Sequence, residues 1–389
     1  MLKVEKIIPG GMGLATDKDG KKIFLWNALP GELVEEYKTT KTKANFNEAV
    51  ALKIINPSPF RVNPKDACFL ATSPWQIMNF DYELKLKQDL VVELFREHGI
   101  NIETPEIKTD NRPYFYRNKM EYSLYWDNDS EKISLAFHAR GSHHKIKIDH
   151  SSIERPEIFT AAEKIVAELN KNHEPARKYQ SILLRSNQNG EVSGDLFEKG
   201  KPHPTFKPLA DTILDKKYSY SPNGFFQINL PVYELALSEI KSHIKTDHVL
   251  DLYSGVGTIG LSVANDKNLT LVEVDKSAFR ELTKNCETAS KKLNTPRPTI
   301  ILSKSEDALT YLKNNQTVIL DPPRAGCDEK LINKLIEIKP PKIIYLSCNP
   351  ATQARDIKKL LTTYKISAVK TFNFFPRTPH IENLVVLEL

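Results

Sequence analysis

Cysteine is scarce in this chain, and its copies are scattered. The 389 residues include 4 cysteines, at Cys68, Cys286, Cys327 and Cys348, and none of them belongs to a CxxC pair. A disulfide framework, a zinc site or an iron–sulfur site needs clustered thiols, so this spacing argues against all three. We therefore expect a reduced, cytoplasmic protein without a bound metal.

Long apolar runs are also lacking. Charged residues interrupt the N-terminal stretch MLKVEKII, which excludes the apolar core of a signal peptide. No apolar stretch approaches the ~18 residues of a membrane span. We expect neither secretion nor membrane insertion, and nothing in the chain implies a protein partner.

Charge of one sign is in only slight excess. The chain has 55 Lys+Arg against 49 Asp+Glu, a formal net charge of +6 and a pI near 8.8. This balance mildly favours an anionic partner but does not establish one, because many basic enzymes share it. At roughly 150 residues per domain, the length predicts two or three domains.

Residues 1–58 have the pattern of short strands separated by turns. Gly10-Gly11, Lys18-Asp19-Gly20 and Pro30-Gly31 stand where hairpin turns would be needed. A five-stranded barrel of the OB type is the simplest structure that fits. Its lysines, with Arg61 just beyond, either follow a phosphate backbone or form an ordinary solvated surface.

The middle of the chain predicts a mixed α/β unit. Residues 59–80 are proline-rich and aperiodic, which indicates an ordered loop, and an amphipathic helix follows from Asp81 to a stop at Gly99. Residues 111–222 contain strand-like pieces around a helix expected from about Pro156 to Asn172. Two basic stretches here, residues 116–119 and 143–147, are by themselves more typical of solvated faces.

From about residue 223 strands alternate with helices, which predicts a doubly wound, mostly parallel sheet. The predicted fold class is therefore α/β with three units. These are a barrel at 1–58, a central domain at 59–80 and 111–222, and a doubly wound domain at 81–110 and 223–389.

A glycine-rich turn follows the first strand of the doubly wound domain. The run Gly255-Val-Gly257-Thr-Ile-Gly260 lies where ligands bind such sheets, and the next strand ends at Glu273, a carboxylate suited to ribose hydroxyls. Because GxGxxG and this acidic residue occur in both NAD-binding and S-adenosylmethionine-binding sheets, the turn alone leaves both open.

Two later strand ends carry reactive side chains. Asp321-Pro-Pro-Arg324 follows a core strand, and its prolines hold Asp321 in a rigid rim, which favours S-adenosylmethionine over a dinucleotide. Ser347-Cys348-Asn349-Pro350 ends the following strand. A buried structural cysteine is the usual alternative, but this position favours a nucleophile. Glu382 precedes the last strand and is expected near the same cleft.

Together these motifs resemble the RNA 5-methyluridine methyltransferases, which use S-adenosylmethionine to methylate carbon-5 of uracil in transfer RNA or large-subunit ribosomal RNA. The N-terminal barrel resembles the TRAM domain of that family. The matching segments are YRNKMEYS (116–123), FFQIN (225–229), DLYSGVGTIGL (251–261), DPPRAG (321–326), LSCNPATQARD (346–356) and HIENLVVLEL (380–389).

The resemblance implies a class I, Rossmann-like methyltransferase domain and assigns roles by position. Cys348 is the expected nucleophile, which adds to carbon-6 of uracil, and Glu382 is the expected base that removes the carbon-5 proton. The expected S-adenosylmethionine contacts are Gln227, Tyr253, Glu273 and Asp321. The expected RNA contacts are Arg117, Lys119 and Arg324.

The same resemblance implies structured RNA as the partner, with 23S ribosomal RNA favoured over transfer RNA because of the barrel. Positive surroundings that include Arg324 are expected to favour the Cys348 thiolate.

The chain departs from many of these relatives in one respect. They hold an iron–sulfur cluster through three clustered cysteines and a fourth in the central domain. Here only Cys68 lies in the corresponding loop, and Ser151-Ser152 stands near the fourth position. A cluster needs about four thiolate ligands, so we expect none.

Two other functions stay open. An RNA cytosine-5 methyltransferase usually pairs a cysteine in the proline motif with the later one, whereas this chain has Asp321 there and Cys348 alone. A catalytically inactive RNA-binding factor is disfavoured by the joint presence of Cys348, Glu382 and Asp321.

Overall fold

The computed structural model describes residues 1–202, 205–293 and 297–389, with the side chains of residues 290–293 left out. Alternating buried and exposed positions fold the N-terminal residues into a six-stranded sheet of order β1-β5-β6-β4-β3-β2. The strands are β1 (Leu2–Lys3), β2 (Lys6–Ile7), β3 (Gly13–Thr16), β4 (Lys22–Trp26), β5 (Leu33–Thr42) and β6 (Phe46–Asn56).

The sixth strand, beyond the five expected, arises because the first strand changes partner midway. Val4 N donates to Glu32 O at 3.0 Å, beside β5, whereas Glu5 N donates to Leu14 O at 2.7 Å, on β3. The two halves of this strand thus occupy the two edges of the sheet, and this closes the barrel.

One expected hairpin turn is wrong. Gly10-Gly11 joins the antiparallel pair β2 and β3, and Asp19-Gly20 joins β3 and β4. Pro30-Gly31 instead connects β4 to β5, which are not neighbours because β6 pairs with both of them.

Arg61 forms an ion pair inside the protein, whereas both expectations from the sequence leave its guanidinium facing solvent or RNA. Its Nε donates to Glu32 Oε1 at 2.6 Å and its Nη2 to Glu32 Oε2 at 2.8 Å, and the Glu32 side chain is fully buried. A further bond reaches Asn27 O at 3.0 Å. Arg61 therefore fastens the barrel to the segment that follows it.

The segment after the barrel is more ordered than a plain loop. It contains the short helix α1 (Phe69–Thr72) and a 3-10 turn at Pro74–Ile77. The buried Gln76 side chain accepts from Lys65 N at 2.9 Å and donates to Asp66 Oδ2 at 2.7 Å. Asp66 also accepts from Ser152 N and Oγ at 2.9 and 2.6 Å, which fixes the segment to the central domain.

Cys68 lies beside this junction, and its Sγ is 3.6 Å from His150 O. Over the described ranges, the structure contains no group of three or more His, Cys, Asp or Glu side chains that could hold a metal ion. Among the helices in those ranges, none is both long and apolar enough to cross a membrane.

The central domain is an antiparallel sheet of order β10-β9-β8-β11-β12. The predicted helix is present as α3 (Pro156–Lys171), which packs its apolar side on the sheet. The strands are β8 (Lys119–Asp127), β9 (Lys132–His138), β10 (Lys145–Lys147), β11 (Tyr179–Ser186) and β12 (Val192–Glu198).

Eight further strands form a sheet of order β17-β16-β15-β18-β19-β21-β20-β7, which confirms the predicted α/β class. Pairing is parallel from β17 to β19, and β21 is antiparallel to both of its neighbours. The strands are β7 (Glu106–Lys108), β15 (His248–Leu252), β16 (Asn268–Glu273), β17 (Thr299–Leu302), β18 (Gln316–Leu320), β19 (Lys342–Ser347), β20 (Lys365–Phe372) and β21 (Glu382–Glu388).

Helices cover both faces of this sheet and build two apolar clusters against it. A separate hairpin of β13 (Leu209–Ile213) and β14 (Lys216–Tyr220) packs into one of these clusters rather than into the central domain. The helices are α2 (Phe80–Glu97), α4 (Leu230–His243), α5 (Thr258–Ala264), α6 (Lys276–Leu293), α7 (Glu329–Ile338) and α8 (Pro350–Leu360).

A buried ion pair on α2 joins these units. Lys87 and Glu83 have no exposed side-chain surface and lie 3.1 Å apart. Lys87 Nζ also donates to Asn373 Oδ1 at 2.6 Å and to Phe375 O at 3.0 Å, while Glu83 accepts from Arg377 N at 3.0 Å. The pair thus holds the segment that runs from β20 to β21.

We predict that Lys87→Met destabilises the protein by about 3–5 kcal/mol, because it leaves buried Glu83 with Arg377 alone, at 3.6 Å, and removes the donor to Asn373 Oδ1 and Phe375 O. The urea midpoint of unfolding measures this loss. The double variant Glu83→Gln, Lys87→Met should not recover this loss, because it removes the carboxylate that lies 3.6 Å from the buried Arg377 Nη1.

Lys85→Met is the matched control on the same helix. Its ammonium pairs with Asp89 and its side chain is 65% exposed, so the change should be within about 0.5 kcal/mol. Equal midpoints for the Lys87 and Lys85 variants would contradict the role given to the buried pair.

Candidate active site

The expected site residues follow neighbouring strands at one edge of the eight-stranded sheet. Leu252 pairs with Leu320 and Leu320 pairs with Tyr345, so β15, β18 and β19 end side by side. Tyr253, Asp321 and Cys348 come directly after these ends. Because β21 runs antiparallel to β19, its first residue, Glu382, begins at the same edge.

The glycine-rich turn requires its glycines for close packing. A Cβ on Gly257 would lie 2.5 Å from Leu282, and one on Gly260 would lie 2.5 Å from Leu271 and 2.8 Å from Asp251 Oδ2. Tyr253, at the start of the turn, has φ of +65°, a strained conformation for a bulky residue. The glycines therefore let the turn pack closely against the sheet and the neighbouring helix.

Glu273 is held rigidly against this turn. Its Oε2 accepts from Gly255 N at 2.7 Å, and its Oε1 accepts from Val274 N at 2.8 Å and from Asp275 N at 2.6 Å. Oε1 thus accepts two bonds, whereas Oε2 accepts one and has a further lone pair for a hydroxyl donor. The side chain is buried, so its orientation is set before a ligand arrives.

Asp251 is a site residue that sequence reasoning missed. It is fully buried under the glycine turn, where Oδ2 accepts from Gly260 N at 2.9 Å and Oδ1 has no hydrogen-bond partner. Burial, with Asp321 and Glu273 nearby, raises the pKa of Asp251 to about 8. The available signal was an acidic residue inside the apolar strand HVLDL.

The pKa values of three reactive side chains are raised. Burial, followed by the charge of Asp321, raises the pKa of Glu382 well above its ordinary range, and burial also raises the pKa of Asp321. Burial, followed by the charges of Glu382 and Asp321, raises the pKa of the Cys348 thiol to about 11.

The expectation that positive surroundings favour the Cys348 thiolate is therefore wrong for the ligand-free protein. Arg324 does lower the pKa of Cys348, but its effect is smaller than burial and the two carboxylates. The physical reason is that desolvation and negative neighbours both penalise a thiolate.

Two loops of the site are tied together through the Arg324 backbone. Asn349 Nδ2 donates to Arg324 O at 2.8 Å, and Thr352 Oγ1 donates to the same oxygen at 3.1 Å. The Arg324 side chain itself is exposed. The loop that carries Asp321 and the loop that carries Cys348 are thus held in a common arrangement.

The other cysteine near these loops has a structural setting. Cys327 is buried, its amide donates to Asp356 Oδ2 at 2.8 Å, and burial raises the pKa of its thiol to about 12. It lines an open cavity of about 500 Å³ next to Tyr253 and Pro323. The thiol lies outside the Asp321-Pro-Pro-Arg324 motif, so that motif offers no second nucleophile.

The remaining expected contacts come from the segment before α4 and from the central domain. Gln227 is 9% exposed. Arg117 is half-buried, and its Nε donates to Lys119 O at 2.9 Å. Lys119 Nζ donates to Asn223 O at 3.0 Å and to Gly224 O at 3.2 Å, and its expected contact with RNA stays a prediction.

We predict that Asp251→Asn stabilises the ligand-free protein at alkaline pH. A carboxyl whose folded pKa is raised favours folding most at low pH, and this contribution is lost as pH rises through about 8. At pH 8.5 the variant should melt above the parent by on the order of 5 °C, and the gap should close at pH 4.

Scanning calorimetry at the two pH values makes the measurement. Asp247→Asn is the control, because that side chain is 86% exposed and should leave the melting temperature unchanged. The same gap at both pH values would show that ionisation of Asp251 is not its cause.

Comparison with known proteins shows similarity along the whole chain. Residues 210–389 match a family model described as tRNA (Uracil-5-)-methyltransferase, and the match begins in β13. Two curated relatives are each called an uncharacterized RNA methyltransferase. The Enterococcus faecalis protein is 30% identical over 97% of this chain and 94% of its own, and that of Lactobacillus johnsonii is 30% identical over 100% and 97%.

A solved structure has the same overall fold. It is the Pyrococcus abyssi tRNA (uracil-54, C5)-methyltransferase in complex with S-adenosyl-L-homocysteine, with a TM-score of 0.76, 24% identity and 100% coverage of both chains. The likeness therefore includes the N-terminal barrel and the central sheet as well as the eight-stranded sheet.

Proposed function

Because the chain belongs to the S-adenosylmethionine-dependent RNA (uracil-5-)-methyltransferase family, we propose that it methylates a loop uridine of a folded RNA through a covalent Cys348 adduct. The observation that carries this proposal is the convergence of Asp321, Cys348 and Glu382 at one sheet edge beside the glycine-rich turn.

The residues around the turn fit S-adenosylmethionine. Asp251 has a buried carboxylate oxygen without a partner, and Gly257 and Gly260 leave no room for a side chain. The proposed contacts are Gln227, Tyr253, Glu273 and Asp321, with Asp251 beneath them. When bound, S-adenosylmethionine supplies the electrophilic methyl group.

Cys348 supplies the nucleophile. Its sulfur forms a bond to carbon-6 of uracil, and the electron pair of the ring double bond moves towards the carbon-4 carbonyl as an enolate, which makes carbon-5 nucleophilic. With the thiol pKa raised to about 11, the thiol proton must leave as sulfur attacks, and a neighbouring carboxylate is the acceptor.

Glu382 completes the reaction as a base. It takes the proton from carbon-5, the electrons of that bond restore the ring double bond, and the bond between carbon-6 and sulfur breaks. Because its pKa is raised, the ionised form becomes abundant only at higher pH than for an ordinary glutamate. Release of the adduct should therefore accelerate with pH.

RNA binding is proposed for the barrel and the central sheet, with the exposed side chain of Arg324 and that of Arg117 as contacts to the RNA. The target base must leave its stack to reach Cys348, which costs a few kcal/mol and is easiest for a loop uridine.

The choice of RNA is part of the proposal. The barrel is the reason for favouring 23S ribosomal RNA, but the P. abyssi enzyme, which is named for transfer RNA, matches the whole chain, barrel included. The barrel thus does not discriminate between the two, and we propose both as the substrates to compare.

We predict that Cys348→Ala abolishes both turnover and covalent RNA adducts, because the proposed bond between sulfur and carbon-6 cannot form. Glu382→Gln should retain methyl transfer and accumulate an RNA-linked protein, because proton removal from carbon-5 fails. Denaturing gels with labelled RNA detect the adduct, and release of S-adenosylhomocysteine measures transfer.

Cys327→Ala is the matched control and should keep both turnover and adduct formation. Residual turnover in Cys348→Ala would overturn the covalent route. A Glu382→Gln protein that transfers methyl groups without trapping RNA would remove Glu382 from the role of base.

We predict that the modified nucleoside is 5-methyluridine, because the proline motif carries Asp321 where the cytosine enzymes carry a thiol. Transfer RNA and 23S ribosomal RNA from a deletion strain and its complemented form should be digested and analysed by mass spectrometry. 5-Methylcytidine as the product would support the cytosine alternative, and no product in either RNA would support an inactive binding factor.

A further inference from the structure

The central sheet holds the segment before α4 by its backbone. Asn118 N donates to Ile228 O at 3.2 Å, and Asn118 Nδ2 donates to Gln227 O at 3.0 Å. Lys119 Nζ reaches the carbonyls of Asn223 and Gly224. All of the acceptors are main-chain oxygens of a segment that has no helix or strand of its own.

Arg185, on β11, adds the deepest of these contacts. Its Nη2 donates to Phe226 O at 2.6 Å and its Nη1 to Gly224 O at 3.3 Å. The guanidinium lies 5.2 Å from the Tyr220 ring centroid and 5.8 Å from that of Phe226, and the side chain is 1% exposed.

Neither cation has a carboxylate within ion-pair distance among the described residues. Two nearby positive charges compensated mainly by carbonyl dipoles and aromatic faces are costly, and apolar side chains would fill the space at less cost. Burial, followed by the charge of Arg185, accordingly lowers the pKa of Lys119 to about 8, and burial lowers the pKa of Arg185 to about 10. Core packing alone does not explain this arrangement.

The segment that these groups hold leads directly into the site. It carries Gln227, one of the proposed S-adenosylmethionine contacts, and the 76% exposed ring of Phe225. It ends at Asn229, whose fully buried side chain has no hydrogen-bond partner for either amide atom. Asn229 thus leaves a donor and an acceptor unsatisfied at the start of α4.

We propose that Asn118, Lys119 and Arg185 are positioning residues that fix residues 223–228 from the central domain and thereby set the affinity for S-adenosylmethionine. The inference rests on the proposed function in one respect, the contact between Gln227 and the cofactor. Lys119 then acts on the protein backbone rather than on RNA.

The positioning role of Lys119 predicts that affinity for the cofactor depends on pH. Below about pH 8 the ammonium is a strong donor to both carbonyls, and above it the neutral amine binds them less tightly. The charged groups that face Lys119 are Arg185, Glu121 and Arg117, and Glu281 approaches Gly224 from α6. Affinity for the cofactor should therefore fall as pH rises above about 8.

The test measures binding of S-adenosylhomocysteine, without RNA, by calorimetry from pH 6.5 to 9.5. Lys119→Met should weaken binding about tenfold at neutral pH and flatten the profile above pH 8. Lys119→Arg should bind S-adenosylhomocysteine like the parent at neutral pH. Because arginine stays charged, its affinity should fall less than that of the parent above pH 8.

Lys132→Met is the matched control, since that lysine is exposed on the same sheet and should bind like the parent. If Lys119→Met does not fold, the pH profiles of binding for Lys119→Arg and the parent are sufficient to test the inference. Parent-like affinity in Lys119→Met, or a parent-like decline in Lys119→Arg, would overturn the inference.

Cys348→Ala separates this result from the proposed function. It should bind S-adenosylhomocysteine like the parent and have no turnover. An inert Cys348 variant together with a parent-like Lys119→Met would overturn the positioning role and leave the proposed reaction intact. A Cys348→Ala protein that retains turnover, together with weakened binding in Lys119→Met, would overturn the covalent route alone.

Discussion

The buried ion pair of Lys87 and Glu83 is the interaction on which the assembly depends. Both charges are fully desolvated, so each needs all of its partners in place. Those partners lie in the segment 373–377, which also receives Tyr116 from the central domain and Trp75 from the segment after the barrel. The same segment leads into Glu382, so correct assembly of the units and correct placement of this proposed base depend on the same contacts.

The surroundings of the site disfavour the charged forms of its reactive side chains. Asp251, Asp321, Glu382 and Cys348 all have raised pKa values, because burial and mutual repulsion favour their protonated forms. A cationic sulfonium compound would favour ionisation of these carboxyls, which gives the site a physical preference for the methyl donor over its neutral product. Arg324, at the rim, is too exposed to reverse this balance by itself.

The central domain serves the site as well as the proposed RNA surface. Arg117 and Lys119 are two residues apart on the chain, yet one keeps part of its guanidinium accessible and the other is committed to the carbonyls of Asn223 and Gly224. Neighbouring basic residues thus have different partners within the protein. Arg61 is likewise bound internally, because its guanidinium pairs with buried Glu32.

The sequence by itself determined the α/β class and the strand ends at which Asp321 and Cys348 lie, because alternating strands and helices bring successive carboxyl ends to one edge of a sheet. Glu382 begins at the same edge because β21 runs antiparallel to β19. It did not determine the split first strand, the burial of Asp251 or the raised thiol pKa of Cys348. Only the tertiary structure decided the partners of Arg61, Lys119 and Lys87, which lie 29, 104 and 286 residues away along the chain. Charge and burial depend on such distant neighbours, and local residue patterns carry no information about them.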